Sequence, residues 1–277
     1  MTTSPDRDYW EGRALKHGRL AGGYLDSWNE TFEQPLRWSA FKRICPIGPG
    51  LRVLDVGCGT GRWSVRMADM GAQVLGADIS ARMIEMAEPH PGVEYRVAAA
   101  HELDCPDRDF DVVVSVTVLQ HITDPGELER ALQNVRRMLK DTGRFFVLEY
   151  SPLRTLPSQE LTYMRYRTHK QWIELMATEG FRLRSSTGIR FIGRKAYGAW
   201  RRLRGTRPAT TSSSASPVAA SGVSRGEPAG ISGGEAALLR TAQAVERGIG
   251  RVGFLRQRSD LHAYVFVNTD AAGEKAG

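Results

Sequence analysis

Several features that define whole classes of protein are scarce in this sequence. It has three cysteines among 277 residues, Cys45, Cys58 and Cys105, and their spacing matches neither a disulfide framework nor a zinc site. No apolar run approaches the roughly 20 residues that a membrane-spanning helix needs, and the N-terminal residues are polar and include acids. We therefore expect a cytoplasmic protein with reduced thiols, no transmembrane segment and no bound metal.

Acidic residues are missing from one long stretch. Between Arg182 and Arg207 there are many Arg and Lys residues and no Asp or Glu, in a chain of net charge +7. Such a run is either a solvated face or a surface for an anionic partner, and a phosphorylated substrate, an anionic membrane surface or nucleic acid would fit it. Large apolar residues are scarce from about 205 to 234, where Ser, Ala, Gly and Pro dominate, so we expect a flexible insertion there.

From Leu51 to Tyr150, short apolar runs alternate with helical patterns, which is typical of βαβ units in a mostly parallel sheet. The clearest helical pattern runs from Pro125 to Lys140 and is followed by a predicted turn at 141–143. The five predicted strands are Arg52–Val56, Gln73–Asp78, Val93–Ala98, Asp111–Val116 and Arg144–Tyr150.

The regular alternation of strand and helix patterns ends after Tyr150. Thr168 and Gln171 form a capping-box pattern that opens a helix, and Gly180 closes it. The pattern then predicts a strand at Phe181–Ser186, a helix at Glu235–Arg247 and a last strand at Leu261–Asn268. We expect a helical lid at 1–50, a ligand-binding α/β domain at 51–192 with 258–270, and a basic helix, the insertion and another helix at 193–257.

The strand Arg52–Val56 runs into the glycine-rich turn Gly57-Cys58-Gly59-Thr60-Gly61. Glycine allows a ligand to lie against the backbone and reaches dihedral angles that other residues avoid. Dinucleotide sites place a third small residue three positions after the second glycine, but Arg62 holds that position. The pattern therefore favours a ligand without a pyrophosphate.

A carboxylate ends the second predicted strand. Asp78 would lie at the carboxyl edge of the sheet, where it can accept hydrogen bonds from the two ribose hydroxyls of a nucleoside. The alternative is a helix cap, but Ser80 is better placed for that task. We predict that Asp78 is a ribose ligand.

The ordered set Leu54–Gly61, Asp78, Phe110–Ser115 and Val118–Ile122 resembles the class I S-adenosylmethionine-dependent methyltransferases. The resemblance covers roughly Leu51 to Pro152. It implies an α/β fold, with a doubly wound, seven-stranded, mostly parallel sheet, its last strand antiparallel and helices on both faces. It also implies that S-adenosylmethionine lies across the carboxyl edges of the first strands.

The resemblance assigns roles to individual residues. Asp55 and the turn residues Gly57, Cys58, Gly59 and Gly61 would surround the methionine part of the donor, Asp78 would hold the ribose, and Ile79 would pack on the adenine. Backbone near Val116 and Thr117 would meet the amino end of the donor, and Tyr9 would lie near its carboxylate.

One position departs from the family pattern. These enzymes often carry an acid after the third strand that accepts from the adenine amino group, and here the aligned residue is Ala99. Ala100 and His101 are the candidate adenine contacts, while Glu102 or backbone groups would replace the missing acid.

Three residues are candidates for catalysis. Methyl transfer needs alignment of the acceptor with the donor, and a base helps when the acceptor is a hydroxyl. His121, after the fourth strand, can supply that base, or it only shapes the pocket. Glu149 and Tyr150 are further candidates because they end the fifth strand, at the edge where sites of such sheets lie.

The flanking segments have two interpretations each. The aromatic-rich N-terminal segment, which includes Trp10, Trp28, Phe32, Trp38 and Phe41, either closes over the donor or packs against the sheet. Residues 192–204 have an apolar and a basic side, so they cover the acceptor pocket, contact a membrane surface or simply pack as a helix.

We expect methyl transfer to an oxygen, less often a nitrogen, of a small metabolite, a sugar or a lipid-linked glycan. The alternatives are an RNA methyltransferase that uses the basic stretch 182–207, a nucleotide-binding oxidoreductase and a donor-binding module without turnover. DNA is not an expected partner, because the turn Ser115–Val118 lacks the Asn/Asp-Pro-Pro-aromatic pattern of enzymes that modify bases.

Overall fold

The computed structural model of the protein describes residues 5–22, 29–106, 108–154, 163–190, 233–249 and 259–269. Trp28, the basic segment 192–204 and nearly all of the predicted insertion at 205–234 lie outside these residues. Within them, a central sheet is flanked by helices on both faces, as expected.

The sheet has seven strands in the order β3-β2-β1-β4-β5-β7-β6. Strands β1 to β5 pair in parallel, and β7 runs antiparallel to both β5 and β6. The predicted fold class is confirmed. The strands are β1 (Arg52–Val56), β2 (Gln73–Asp78), β3 (Val93–Val97), β4 (Phe110–Val116), β5 (Leu139–Tyr150), β6 (Phe181–Gly188) and β7 (Leu261–Asn268).

Seven helices accompany the strands in the described ranges: α1 (Pro5–His17), α2 (Gln34–Ile44), α3 (Arg62–Ala68), α4 (Ala81–Glu85), α5 (Pro125–Met138), α6 (His169–Thr178) and α7 (Gly233–Ile249). Side-chain caps begin α4, α5 and α6. Asp124 caps α5 by accepting from the amide of Glu127, and Thr168 and Gln171 form the expected capping box of α6.

The predicted turn at 141–143 and the predicted helix end at Lys140 are wrong, because the helix ends at Met138 and all of these residues lie within β5. The register of β4 with β5 passes from the pair Phe110 and Leu139 to the pair Val112 and Arg144. The interval is two positions on β4 and five on β5, so β5 bulges where a turn was expected.

Alternate side chains of the buried strands pack into two apolar clusters. Val112, Val114 and Phe146 face the cluster that contains Phe41 of α2 and Trp63 of α3. Val113 and Phe145 belong to the opposite cluster, with side chains from α5 and α6. The sheet is thus covered on both faces, and its carboxyl edge is left for the loops that form the site.

Candidate functional site

A cavity of about 320 Å³ lies at the carboxyl ends of β1, β2 and β4. Most residues predicted for the site line it. They are Tyr9, Asp55, Gly57, Cys58, Gly59, Asp78, Ile79, Ala100, His101, Val116, Thr117, His121 and Tyr150. Gly61 and Glu149 are not part of the lining.

The glycine-rich turn is set by close packing as well as by dihedral angles. Gly57 has φ +70°, and a Cβ atom there would lie 2.3 Å from a methyl carbon of Val118. Gly61 has φ +79°, and its Cβ would lie 2.0 Å from the hydroxyl of Tyr95. Gly57 therefore shapes the cavity wall, whereas packing under Tyr95 explains the glycine at position 61.

Two buried carboxylates stand on either side of this turn. Asp78 accepts from the backbone amide of Gly59 at 2.8 Å and from that of Ser80 at 2.9 Å. Asp55 accepts from the hydroxyl of Ser64 at 2.6 Å. Ser80 caps α4 by accepting from the amide of Met83, so Asp78 is not needed for that purpose.

Burial raises the pKa of both carboxyl groups. The pKa of Asp55 rises to about 7, because burial and the nearby Asp78 outweigh the hydrogen bond from Ser64. The pKa of Asp78 rises to about 6, because burial outweighs the amides of Ser80 and Gly59. A ligand that brings positive charge or hydroxyl donors would favour the ionised forms.

His121 ends a short 3-10 turn, Leu119–His121, that follows β4. Its Nδ1 lies 2.8 Å from the carbonyl oxygen of Tyr163. A carbonyl only accepts, so Nδ1 carries the proton and the lone pair lies on Nε2, 3.3 Å from the side-chain nitrogen of Gln120. Burial lowers the pKa of His121 to about 4, against the hydrogen bond to Tyr163, so the ring is neutral at neutral pH.

The two candidates at the end of β5 have different surroundings. The hydroxyl of Tyr150 accepts from Arg37 at 3.2 Å, and this residue lines the cavity. Glu149 is fully buried and turns away from the cavity, with one carboxylate oxygen accepting from the amides of Val118 and Leu119. Burial raises its pKa to about 8, against these hydrogen bonds.

Arg37 on α2 lines the cavity and was missed in the sequence. It is buried and pairs with Glu33 at 2.8 Å, and Glu33 also pairs with Arg190. Burial alone would raise the pKa of Glu33, but the two arginines hold it below its ordinary value. The available signal was a charged residue within the apolar run from Leu36 to Phe41.

A second group missed in the sequence lies beside the loop that follows β3. Asp6 of α1 and Glu127 of α5 line the cavity together with Ala98, Ala99 and His101. Burial and the charge of Glu127 raise the pKa of Asp6. Glu102, in contrast, is exposed and pairs with Arg7 at 2.9 Å.

The N-terminal aromatic residues divide between the two predicted roles. Tyr9 and Trp10 line the cavity, where Tyr9 stacks on Tyr163 at 4.8 Å and Trp10 meets His121 edge-on at 5.0 Å. The aromatic residues of the π-helical turn Asn29–Glu33 and of α2 instead pack in the core beneath the sheet. These are Phe32, Trp38 and Phe41.

No helix in the described parts of the chain is both long and apolar enough to cross a bilayer.

The comparisons with known proteins agree with this geometry. Residues 53–143 match the family model described as a methyltransferase domain. A Rhizobium etli protein named ubiquinone biosynthesis O-methyltransferase is 34% identical over 129 residues, which are 45% of this chain and 50% of the relative. The chain thus spans half the length of that relative.

A second curated relative and a solved structure extend the match. The Leptothrix cholodnii protein of the same name is 30% identical over 177 residues, covering 57% of this chain and 75% of the relative. Phosphoethanolamine N-methyltransferase 2 of Haemonchus contortus, solved with S-adenosyl-L-methionine, superposes with a TM-score of 0.59 at 18% identity, over 96% of this chain and 60% of that one. The chain therefore belongs to the class I S-adenosylmethionine-dependent methyltransferases.

Proposed function

We propose that this chain transfers a methyl group from S-adenosylmethionine to an oxygen atom of a small-molecule acceptor. One observation carries the proposal: the glycine turn after β1, the carboxylate of Asp78 and the imidazole of His121 face the same cavity. The names of the two curated relatives support oxygen as the methylated atom. They favour a phenolic or quinone-type acceptor over a sugar or a lipid-linked glycan.

The residues of the cavity suit each part of the donor. The carboxylate oxygens of Asp78 each accept one backbone amide and keep a lone pair for a ribose hydroxyl. Ile79 offers an apolar side chain for the adenine next to Ala100 and His101. The absence of a Cβ at Gly57 and Gly59 leaves the backbone open to the methionine part.

We also assign partners to two polar groups of the donor, its carboxylate and its adenine amino group, that the sequence did not reveal. We assign the donor carboxylate to Arg37, a buried guanidinium on the cavity wall whose Nε has no acceptor among the described residues. We assign the adenine amino group to Asp6 and Glu127, two acids that face each other beside the loop after β3.

S-adenosylmethionine supplies a methyl carbon activated by a positively charged sulfur. The protein must then hold the acceptor hydroxyl in line and take its proton. His121 is neutral and presents Nε2 as the basic atom, while Tyr163 fixes its ring through Nδ1. The aromatic side chains of Tyr9, Trp10 and Tyr163 cover this end of the cavity and exclude water.

Calorimetry and an acceptor panel test the proposal. We expect S-adenosylhomocysteine to bind tightly and NAD(P) not to bind, and we expect methylation of catechols or phenols with isotopically labelled donor. Binding of NAD(P) instead would indicate an oxidoreductase, and donor binding without any product would indicate a non-catalytic module. Methylated RNA as the sole product would favour the basic stretch 182–207 as the acceptor surface.

A further inference from the structure

Glu149 lies next to the end of β5 and holds the loop that follows β4, although it does not line the cavity. Its side chain is completely buried at the end of β5, and one oxygen accepts from the amides of Val118 at 3.0 Å and Leu119 at 2.8 Å. These amides begin the 3-10 turn that carries His121, and the turn has no cap from its own Val118 side chain. Glu149 therefore satisfies helix-start amides from a different strand.

The turn held by Glu149 is strained and forms the cavity wall. Thr117, two residues before Leu119, has φ +56°, a conformation that costs a non-glycine residue about 1 kcal/mol or more. The backbone is held on both sides of this point, because the amide of Thr117 donates to Leu148 at 2.7 Å. Thr117, Gln120 and His121 all line the cavity. The directions of Gln120 and His121, which follow the two held amides, thus depend on the contact with Glu149.

The turn held by Glu149 also contacts the segment 163–168, whose Tyr163 and Met164 line another wall of the cavity and whose Arg167 acts electrostatically on Glu149. This segment is joined to the turn by two hydrogen bonds, from the amide of Arg165 to Gln120 at 2.7 Å and from His121 to Tyr163 at 2.8 Å. The second oxygen of Glu149 and Nη1 of Arg167 are both buried without a hydrogen-bond partner among the described residues. Each group also shifts the pKa of the other toward its charged form.

A buried carboxyl group of this kind contributes little to the free energy of unfolding. Burial raises its pKa to about 8, which shows how strongly the site opposes the charge. Apolar residues of similar volume often replace buried charges with no loss of stability. A role in geometry accounts for a carboxylate here better than a role in stability.

We propose that Glu149 is a positioning residue, which fixes the turn Leu119–His121 and the segment 163–168 in one arrangement and so directs His121 into the cavity. The inference depends on the proposed function only through the role of His121. It is tested by properties of the His121 ring and does not require an identified acceptor.

The test compares Glu149→Ala with a matched control, Asp111→Ala. Asp111 also accepts a backbone amide from a neighbouring strand, that of Arg52 at 2.9 Å, but it lies at the start of β4 and does not line the cavity. The His121 ring is titrated by ¹³C NMR with S-adenosylhomocysteine bound, and donor affinity is measured by calorimetry. Both variants should lose some thermal stability.

Only Glu149→Ala should move His121, raising its pKa by at least about one unit as the ring becomes more exposed to water. Glu149→Gln, which keeps a carbonyl oxygen for the two amides, should restore the wild-type titration. Donor affinity should stay within about threefold of wild type in all variants. An unchanged His121 titration in Glu149→Ala, or an equal shift in Asp111→Ala, would overturn the proposal.

Glu149→Asp covers the case in which the alanine variant does not fold. It keeps the carboxyl group but is one methylene too short to reach both amides, so it should shift His121 in the same direction by about half a unit or more. A wild-type titration in this variant would also overturn the inference. Failure of S-adenosylhomocysteine to bind the wild-type protein would instead refute the proposed function, and titration of His121 in the ligand-free protein and its variants would then decide the role of Glu149.

Discussion

The two ends of the cavity are built in different ways. At the end that we assign to the donor, the turn Gly57–Gly61 follows β1 and Asp78 ends β2, so their positions follow from the backbone of these strands. At the acceptor end, side chains arrive from α1, from the turn after β4 and from the segment 163–168. The donor end is thus specified locally, whereas the acceptor end depends on contacts between distant parts of the chain.

The largest effect should follow from removing His121, the base that we propose for the acceptor. His121→Ala is expected to lower kcat by about 10²- to 10⁴-fold, since the proton of the acceptor hydroxyl would lose its acceptor. Affinity for S-adenosylhomocysteine should change little. Steady-state kinetics with the acceptor found in the panel and calorimetry on the same preparation separate the two quantities, and an unchanged kcat would remove His121 from catalysis.

The next largest effect should follow at the donor end. Asp78→Ala removes two hydrogen bonds to ribose hydroxyls and should weaken S-adenosylhomocysteine binding by about 100-fold or more. Asp78→Asn retains one acceptor oxygen and should lose less. Circular dichroism checks that both variants are folded, and retained affinity in the alanine variant would exclude Asp78 as the ribose ligand.

Arg37→Met tests whether the guanidinium on α2 belongs to the donor end. The loss of a charge-assisted hydrogen bond should weaken S-adenosylhomocysteine binding by about 10- to 30-fold. Binding of methylthioadenosine, which has no carboxylate, should not change. Equal losses for both compounds would mean that the substitution perturbs the cavity as a whole.

The raised pKa values predict how donor affinity depends on pH. Asp78 must be ionised to accept from the ribose, and its pKa of about 6 means that it becomes protonated as the pH falls below that value. Affinity for S-adenosylhomocysteine should therefore be about tenfold lower at pH 5 than at pH 8. Calorimetry across this range should show a much smaller change in Asp78→Asn, and a flat wild-type profile would contradict the prediction.

The smallest effect is expected where α1 meets the adenine. The double variant Asp6→Asn, Glu127→Gln should reduce the preference for S-adenosylhomocysteine over its inosine analogue by about three- to fivefold. Glu11→Gln is the control, because Glu11 also lies on α1 and pairs with Arg82 but does not line the cavity. A preference that is unchanged in the double variant would separate α1 from donor recognition.

The order of the strands and most of their limits could be predicted from the sequence. Apolar runs between turn signals define β1, β2 and β7 to the residue, because buried strands are encoded by local patterns of apolar residues. The bulge in β5 could not be predicted, since Asp141, Thr142 and Gly143 suit both a turn and an irregular strand. Its conformation is decided by the pairing with β4.

The residues of the candidate site also differ in how far the sequence predicts their positions. Asp78 and His121 lie next to strand ends, so their placement at the cavity followed from the strand pattern. Arg37 and Asp6 belong to helices that precede β1, and only tertiary packing brings them there. Glu149 was expected in the cavity because it ends β5, but its side chain turns toward the amides of the neighbouring loop.

The contact between Gly57 and Val118 has a consequence for the evolution of the fold. A Cβ at position 57 would come within 2.3 Å of the Val118 side chain, so the two loops that carry these residues interlock. A larger residue at either position can be accommodated only when the other becomes smaller or the loop shifts. Homologues that change one of these residues should therefore carry a compensating change at the other. Substitutions in the two loops should then be correlated.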